Sequence, residues 1–89
     1  MKINEEAFIL HSCIIECEQL YFIGRVAIDM KIGDILLYEN ENIKENYVIT
    51  NIMAYKYELD EISSGMTCKL AVTGNMHDFK ENTVLYMIN

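Results

Sequence analysis

The stretch from Ile49 to Gly74 sets the tightest limit on what this chain can fold into. It runs Ile-Thr-Asn-Ile-Met-Ala-Tyr-Lys-Tyr, then an acidic corner Glu-Leu-Asp-Glu-Ile-Ser-Ser-Gly, then Met-Thr-Cys-Lys-Leu-Ala-Val-Thr-Gly. Its apolar positions do not recur at three- and four-residue spacing, and its side chains are the β-branched and aromatic types that fit a pleated surface. Two strands joined by a corner follow. Ile49 and Ile52 both look core-directed yet differ in parity, which a β-bulge between them reconciles.

The rest of the chain repeats this pattern. Ala7 to Cys17 reads as a strand in which two alternate sets, Phe8, Leu10, Ser12 and Ile14 or Ile9, His11, Cys13, Ile15 and Cys17, are both mixed, so alternation does not choose the buried face. A turn at Glu18-Gln19 leads to a strand from Leu20 to Asp29, where Gly24 marks a bend or a close backbone approach. Asp29 to Asp34 reads as a hairpin connection with Gly33 free to take positive φ. Ile35 to Tyr38 is a short buried strand, Glu39 to Asn46 a polar loop, and Tyr47 to Tyr57 the longest strand. After Met66 to Thr73, a polar loop from Gly74 to Asn82 precedes a last strand from Thr83 to Ile88. About six strands without a helix predict an all-β protein, a small closed antiparallel Greek-key β-barrel, because closure removes exposed edges. At 89 residues it is one domain, with the barrel core over about residues 8–88.

Fourteen acidic residues against seven basic ones give a net charge of -7, which repels phosphate backbones and disfavours non-specific nucleic-acid binding, so no DNA partner is expected. The cations, Lys2, Arg25, Lys31, Lys44, Lys56, Lys69 and Lys80, are scattered singly. Met1 to Glu6 carries two carboxylates where a secretion signal needs a positive start and an apolar core, and no apolar run reaches membrane-spanning length. Three cysteines without framework spacing suit reduced thiols. The expectation is a soluble, cytoplasmic chain with no membrane partner.

His11, Cys13 and Cys17 share one parity of the first strand, and Cys68 with His77 are the other ligand types available. Their spacing lacks the paired knuckles of zinc sites, so buried packing is the default and no metal is expected. A Cys13–His11 nucleophile pair lacks an oxyanion motif or a glycine elbow, so no enzyme activity is expected. Tyr47, Tyr55 and Tyr57 share a parity on the longest strand and form a candidate partner face. Glu58, Asp60 and Glu61 are too close in sequence for paired acid and base roles and read as solvated.

Several short motifs fall in one order: Gly24-Arg25-Val26, Lys31-Ile32-Gly33-Asp34, Ile49-Thr50-Asn51-Ile52-Met53-Ala54-Tyr55, Leu59-Asp60-Glu61-Ile62, Gly65, Leu70-Ala71-Val72-Thr73-Gly74 and Thr83-Val84-Leu85-Tyr86. In this the chain resembles the second domain of the translational GTPases, the translation-factor β-barrel of elongation factor Tu, over about residues 8–88. The resemblance implies that barrel as a stand-alone domain, and it favours Ile9, Cys13 and Ile15 as the inward set of the first strand. There is no Gly-x-x-x-x-Gly-Lys-Ser/Thr loop, so no nucleotide cofactor is implied. At the positions by which that family contacts the aminoacyl-tRNA end, this chain has Met53, Lys56 and Thr73. The expected function is a non-catalytic binding module that contacts a protein partner. An accessory factor touching ribosome or tRNA through Arg25 and Lys56 is the alternative, and a small thiol hydrolase the outsider.

Overall fold

A computed structural model of the chain describes residues 5–88. Met1 to Asn4, including Lys2 and most of the N-terminal segment read above, lie outside the described residues, as does Asn89. The described chain forms nine strands: β1 (Glu5–Glu16), β2 (Gln19–Val26), β3 (Met30–Lys31), β4 (Ile35–Glu39), β5 (Lys44–Ala54), β6 (Tyr57–Leu59), β7 (Glu61–Ile62), β8 (Thr67–Thr73) and β9 (Thr83–Met87). No helix occurs among the described residues.

Six strands close into a barrel in the order β1, β2, β8, β5, β4, β9 and back to β1, with every pair antiparallel. β6 adds to the free end of β5, and β3 pairs with β7 as a small clip. The interior is filled by side chains: Phe8, Leu10, Phe22, Val26, Leu36, Tyr47, Ile49, Ile52, Leu70 and Leu85 are all essentially inaccessible. A solid apolar core is what a six-stranded barrel permits, since its bore is too narrow for a channel.

The bulge expected in the longest strand is present, as a register shift between Ile49 and Asn51 against β8 that turns both Ile49 and Ile52 inward. Gly24 meets the close approach expected of it: a Cβ there would lie 2.1 Å from the Ile9 carbonyl oxygen. The inward face of β1 differs from Ile9, Cys13 and Ile15. A second register shift, between Leu10 and Ser12, switches parity at His11. Phe8 and Leu10 therefore point inward before the bulge and Cys13 packs on the core after it, while Ile9 is half-buried on the outer wall and Ile15 is 53% exposed at the rim.

Boundaries shift where turn chemistry is atypical. The turn after β1 is Cys17-Glu18, one residue earlier than expected, and β5 ends at Ala54 with a turn at Tyr55-Lys56. Both are two-residue hairpin loops with both residues at positive φ (49° and 65°; 52° and 70°). Such turns favour Asn-Gly, so nothing local in Cys-Glu or Tyr-Lys announces them. Asp29 to Asp34 is not a hairpin connection: β2 and β4 do not pair, and the segment crosses to the far side of the barrel. There Gly33, at φ 98°, donates its N–H to the Ile49 carbonyl. The polar loop after β4 shrinks to residues 40–43, capped by the Asn40 side chain, which accepts from the Asn42 and Ile43 N–H groups.

Candidate functional site

The β5–β6 hairpin is built by three pairs, Ile52 with Leu59, Met53 with Glu58 and Ala54 with Tyr57. Its inner residues anchor it, since Ile52 is inaccessible and Ala54 nearly so. At the tip the chain turns through Tyr55 and Lys56 with no side chain above it. Tyr55 is 73% and Tyr57 71% exposed, and Met53 beside them is 38% exposed. The tip therefore presents two phenol rings and an ammonium on a backbone held at both ends.

Arg25 lies at the same end. It pairs with Thr67, two residues along β8 from Lys69, which pairs with Met53, so β8 alone separates Arg25 from the hairpin. No carboxylate lies within ion-pair distance of Arg25 or Lys56 among the described residues, whereas Lys44 pairs with Glu39 (3.8 Å) and Lys69 with Glu16 (3.2 Å). Four of the five expected contact residues, Tyr55, Tyr57, Arg25 and Lys56, are thus exposed at one end.

Tyr47 is not with them. Its side chain is inaccessible inside the opposite end of the barrel, where the hydroxyl donates to the Asn75 carbonyl at 2.5 Å. Burial, then Glu45, raises its pKa. Gly74, at φ 141°, lets the chain pass against that ring, for a Cβ would lie 2.5 Å from Tyr47 Cδ1. Shared parity does not imply a shared face here, because the bulge at Thr50 and the turn at Tyr55-Lys56 each reset the alternation between Tyr47 and Tyr57.

The segment from Asn75 to Asn82 is more than a polar loop. Phe79 stacks edge-on against Phe22, Tyr38 and Tyr47 at 5.5, 4.8 and 6.1 Å between ring centroids and closes the barrel end. His77 Nε2 stands 3.6 Å from Glu45 Oε1, and that oxygen accepts from the Asn75 N–H. A single phenylalanine in a polar run is a weak signal, which is why sequence reading passes over it.

The bulge at His11 parts the pair weighed for catalysis. His11 is exposed, whereas Cys13 faces the core with its thiol pKa raised by burial and then by Asp78. A nucleophilic cysteine requires the opposite shift. Cys68 is buried on β8, its thiol pushed up to about 12, and Cys17 is exposed in the first turn. Among the described residues no three His, Cys, Asp or Glu side chains converge as a metal site. Near β3 and β7, Asp29 accepts from the Ser64 N–H (2.8 Å) and Asp34 from the Lys31 N–H (2.9 Å), so both carboxylates hold turns. Glu58, Asp60 and Glu61 are exposed. The chain matches no protein-family model, and no curated protein matches it significantly.

Proposed function

We propose that this chain is a non-catalytic binding module, a stand-alone barrel of the translation-factor second-domain type, that docks on a protein partner through the tip of the β5–β6 hairpin. The observation that carries the reading is the exposure of Tyr55 and Tyr57 on a supported turn, since monomers bury most of their aromatic surface and tyrosine is favoured at contact surfaces. Left-handed backbone occurs at Tyr55-Lys56 and equally at Cys17-Glu18, so the exposed rings and not the backbone strain carry the reading. A reduced cytoplasmic setting accords with the three unpaired thiols.

The test is affinity capture from native cytosol by the wild-type chain and by the Tyr55→Ala/Tyr57→Ala variant. A partner recovered by the former and lost by the folded variant is expected; identical recovery by both would rule the hairpin out. A second reading, contact with ribosome or tRNA, draws on Lys56 flanked in sequence by the exposed rings of Tyr55 and Tyr57, which offer faces for bases to stack on, with Arg25 at the same end. It predicts steep loss of binding with added salt, whereas the net charge of -7 favours negligible RNA affinity.

A further inference from the structure

The strap of residues 75–82 runs between β8 and β9 over one end of the barrel and is held by a few contacts rather than by strand pairing. Its far end is tied where the Asn82 N–H donates to the Leu10 carbonyl at 2.8 Å, and its middle is pinned by Phe79 on the core. Two side chains of β5 hold its near end. The Tyr47 hydroxyl donates to the Asn75 carbonyl, and Glu45 Oε1 accepts from the Asn75 N–H at 3.2 Å.

One buried side-chain polar atom has no hydrogen-bond partner among the described residues, and it lies on this strap: His77 Nε2. The His77 ring packs near Tyr38 of β4 and Phe79, each 6.0 Å away between ring centroids. Its Nε2 faces Glu45 Oε1 at 3.6 Å. That separation is too long for a hydrogen bond, so a neutral imidazole satisfies neither group. An imidazolium at the same distance is an ion pair. The two side chains are only 26% and 23% exposed, so solvent and salt screen their attraction less than at an open surface. The other titratable groups nearby do not supply a competing cation. Tyr38 comes from β4, Asp78 on the strap acts toward Cys13 of β1, and Lys44 beside Glu45 in sequence is paired with Glu39. Among the described residues no lysine or arginine lies within ion-pair distance of Glu45.

We infer that His77 and Glu45 form a proton-sensitive latch on the strap, closed when the imidazole carries its second proton and loosened when it does not. Histidine is the side chain that ordinarily changes charge between about pH 5 and 8. A contact made only by the charged ring is present at the acid end of that range and is lost as pH rises. Phe79 is therefore held over Phe22 and Tyr47 most firmly at low pH, and the barrel end opens more often at high pH. The latch lies at the opposite end of the barrel from the Tyr55–Tyr57 tip and works whatever that tip binds.

Amide hydrogen exchange at about pH 5.5 and 7.5, with the intrinsic rates divided out, tests the latch. In the wild-type chain, protection at Asn75, Phe79 and Asn82 should fall about threefold to fivefold between the two, as expected for one partly exposed ion pair. His77→Gln is neutral throughout and should abolish the fall. Glu45→Gln keeps an acceptor for the Asn75 N–H but loses the charge, and should abolish it too. His11→Gln, at the other histidine of the chain, exposed on β1, should leave the fall intact. The two latch variants act on opposite partners, so whichever of them folds decides, and the wild-type measurement requires neither. Protection in the wild type that stays level or rises with pH would overturn the inference. So would a fall that persists in folded His77→Gln or Glu45→Gln, or one that disappears in His11→Gln.

Discussion

Cys68 shows how one side chain ties burial to stability. Its thiol sits among core residues on β8, and burial lifts its pKa from an ordinary 9.0 to about 12. Between those values an unfolded chain releases the proton that the folded chain retains, so the unfolded state gains as pH rises. The stability tied to this group is complete below about pH 9 and is lost as pH climbs through about 12. Cys13 and Tyr47 are shifted in the same direction, again chiefly by burial. Urea midpoints in reducing buffer should therefore hold level from pH 7 to about 9 and then fall. Cys68→Ala should lower stability at pH 7 by about 1 kcal/mol, read as a lower urea midpoint, and make the alkaline decline shallower. An unchanged decline would mean that Cys68 is not protected in the folded state. At this scale the expectation of buried cysteines holds for Cys68 and in part for Cys13 but not for Cys17, which is exposed, and whether Tyr47 pointed in or out depended on bulges that parity does not reveal.

The two strained hairpin turns belong to the scale of elements. Each is a two-residue loop with both residues left-handed, and neither contains the glycine or asparagine that such loops favour. The flanking pairs hold them: Glu16 opposite Gln19 with Ile15 opposite Leu20, and Ala54 opposite Tyr57 with Ile52 opposite Leu59. Replacing Cys17-Glu18 by Asn-Gly should relieve local strain and raise stability by about 1 kcal/mol or more, read as a higher urea midpoint. A lower midpoint would show that the side chains of Cys17 and Glu18 contribute more than their backbone costs. Strand identities at this scale were largely readable, since all six runs expected to be extended contain strand. Their ends were not, because the register of a neighbouring strand overrides weak turn chemistry.

Across the whole molecule the barrel is not uniformly closed. β1 and β2 share eight register pairs, whereas β4 and β9 share two, Leu36 with Met87 and Leu37 with Tyr86, supplemented by the Ile88 N–H on Ile35. The β4–β9 seam should open first. In hydrogen exchange at low micromolar concentration, amides bonded across that seam should exchange well before those joining β1, β2 and β8. Uniform protection around the ring would show that the strap carrying Phe79, packed on Tyr38 of β4, compensates for the short seam. By itself the sequence determined the fold class, a closed all-β barrel, because strand propensity and the lack of helical spacing act over a few neighbours and agree in every run. The net charge of -7 follows from composition alone. Only the tertiary structure decided which face each bulged strand buries, that Tyr47 leaves the surface while Tyr55 and Tyr57 stay on it, and that Phe79 closes one end. Those outcomes depend on register between strands far apart in sequence, and a one-residue slip exchanges every inward side chain for an outward one.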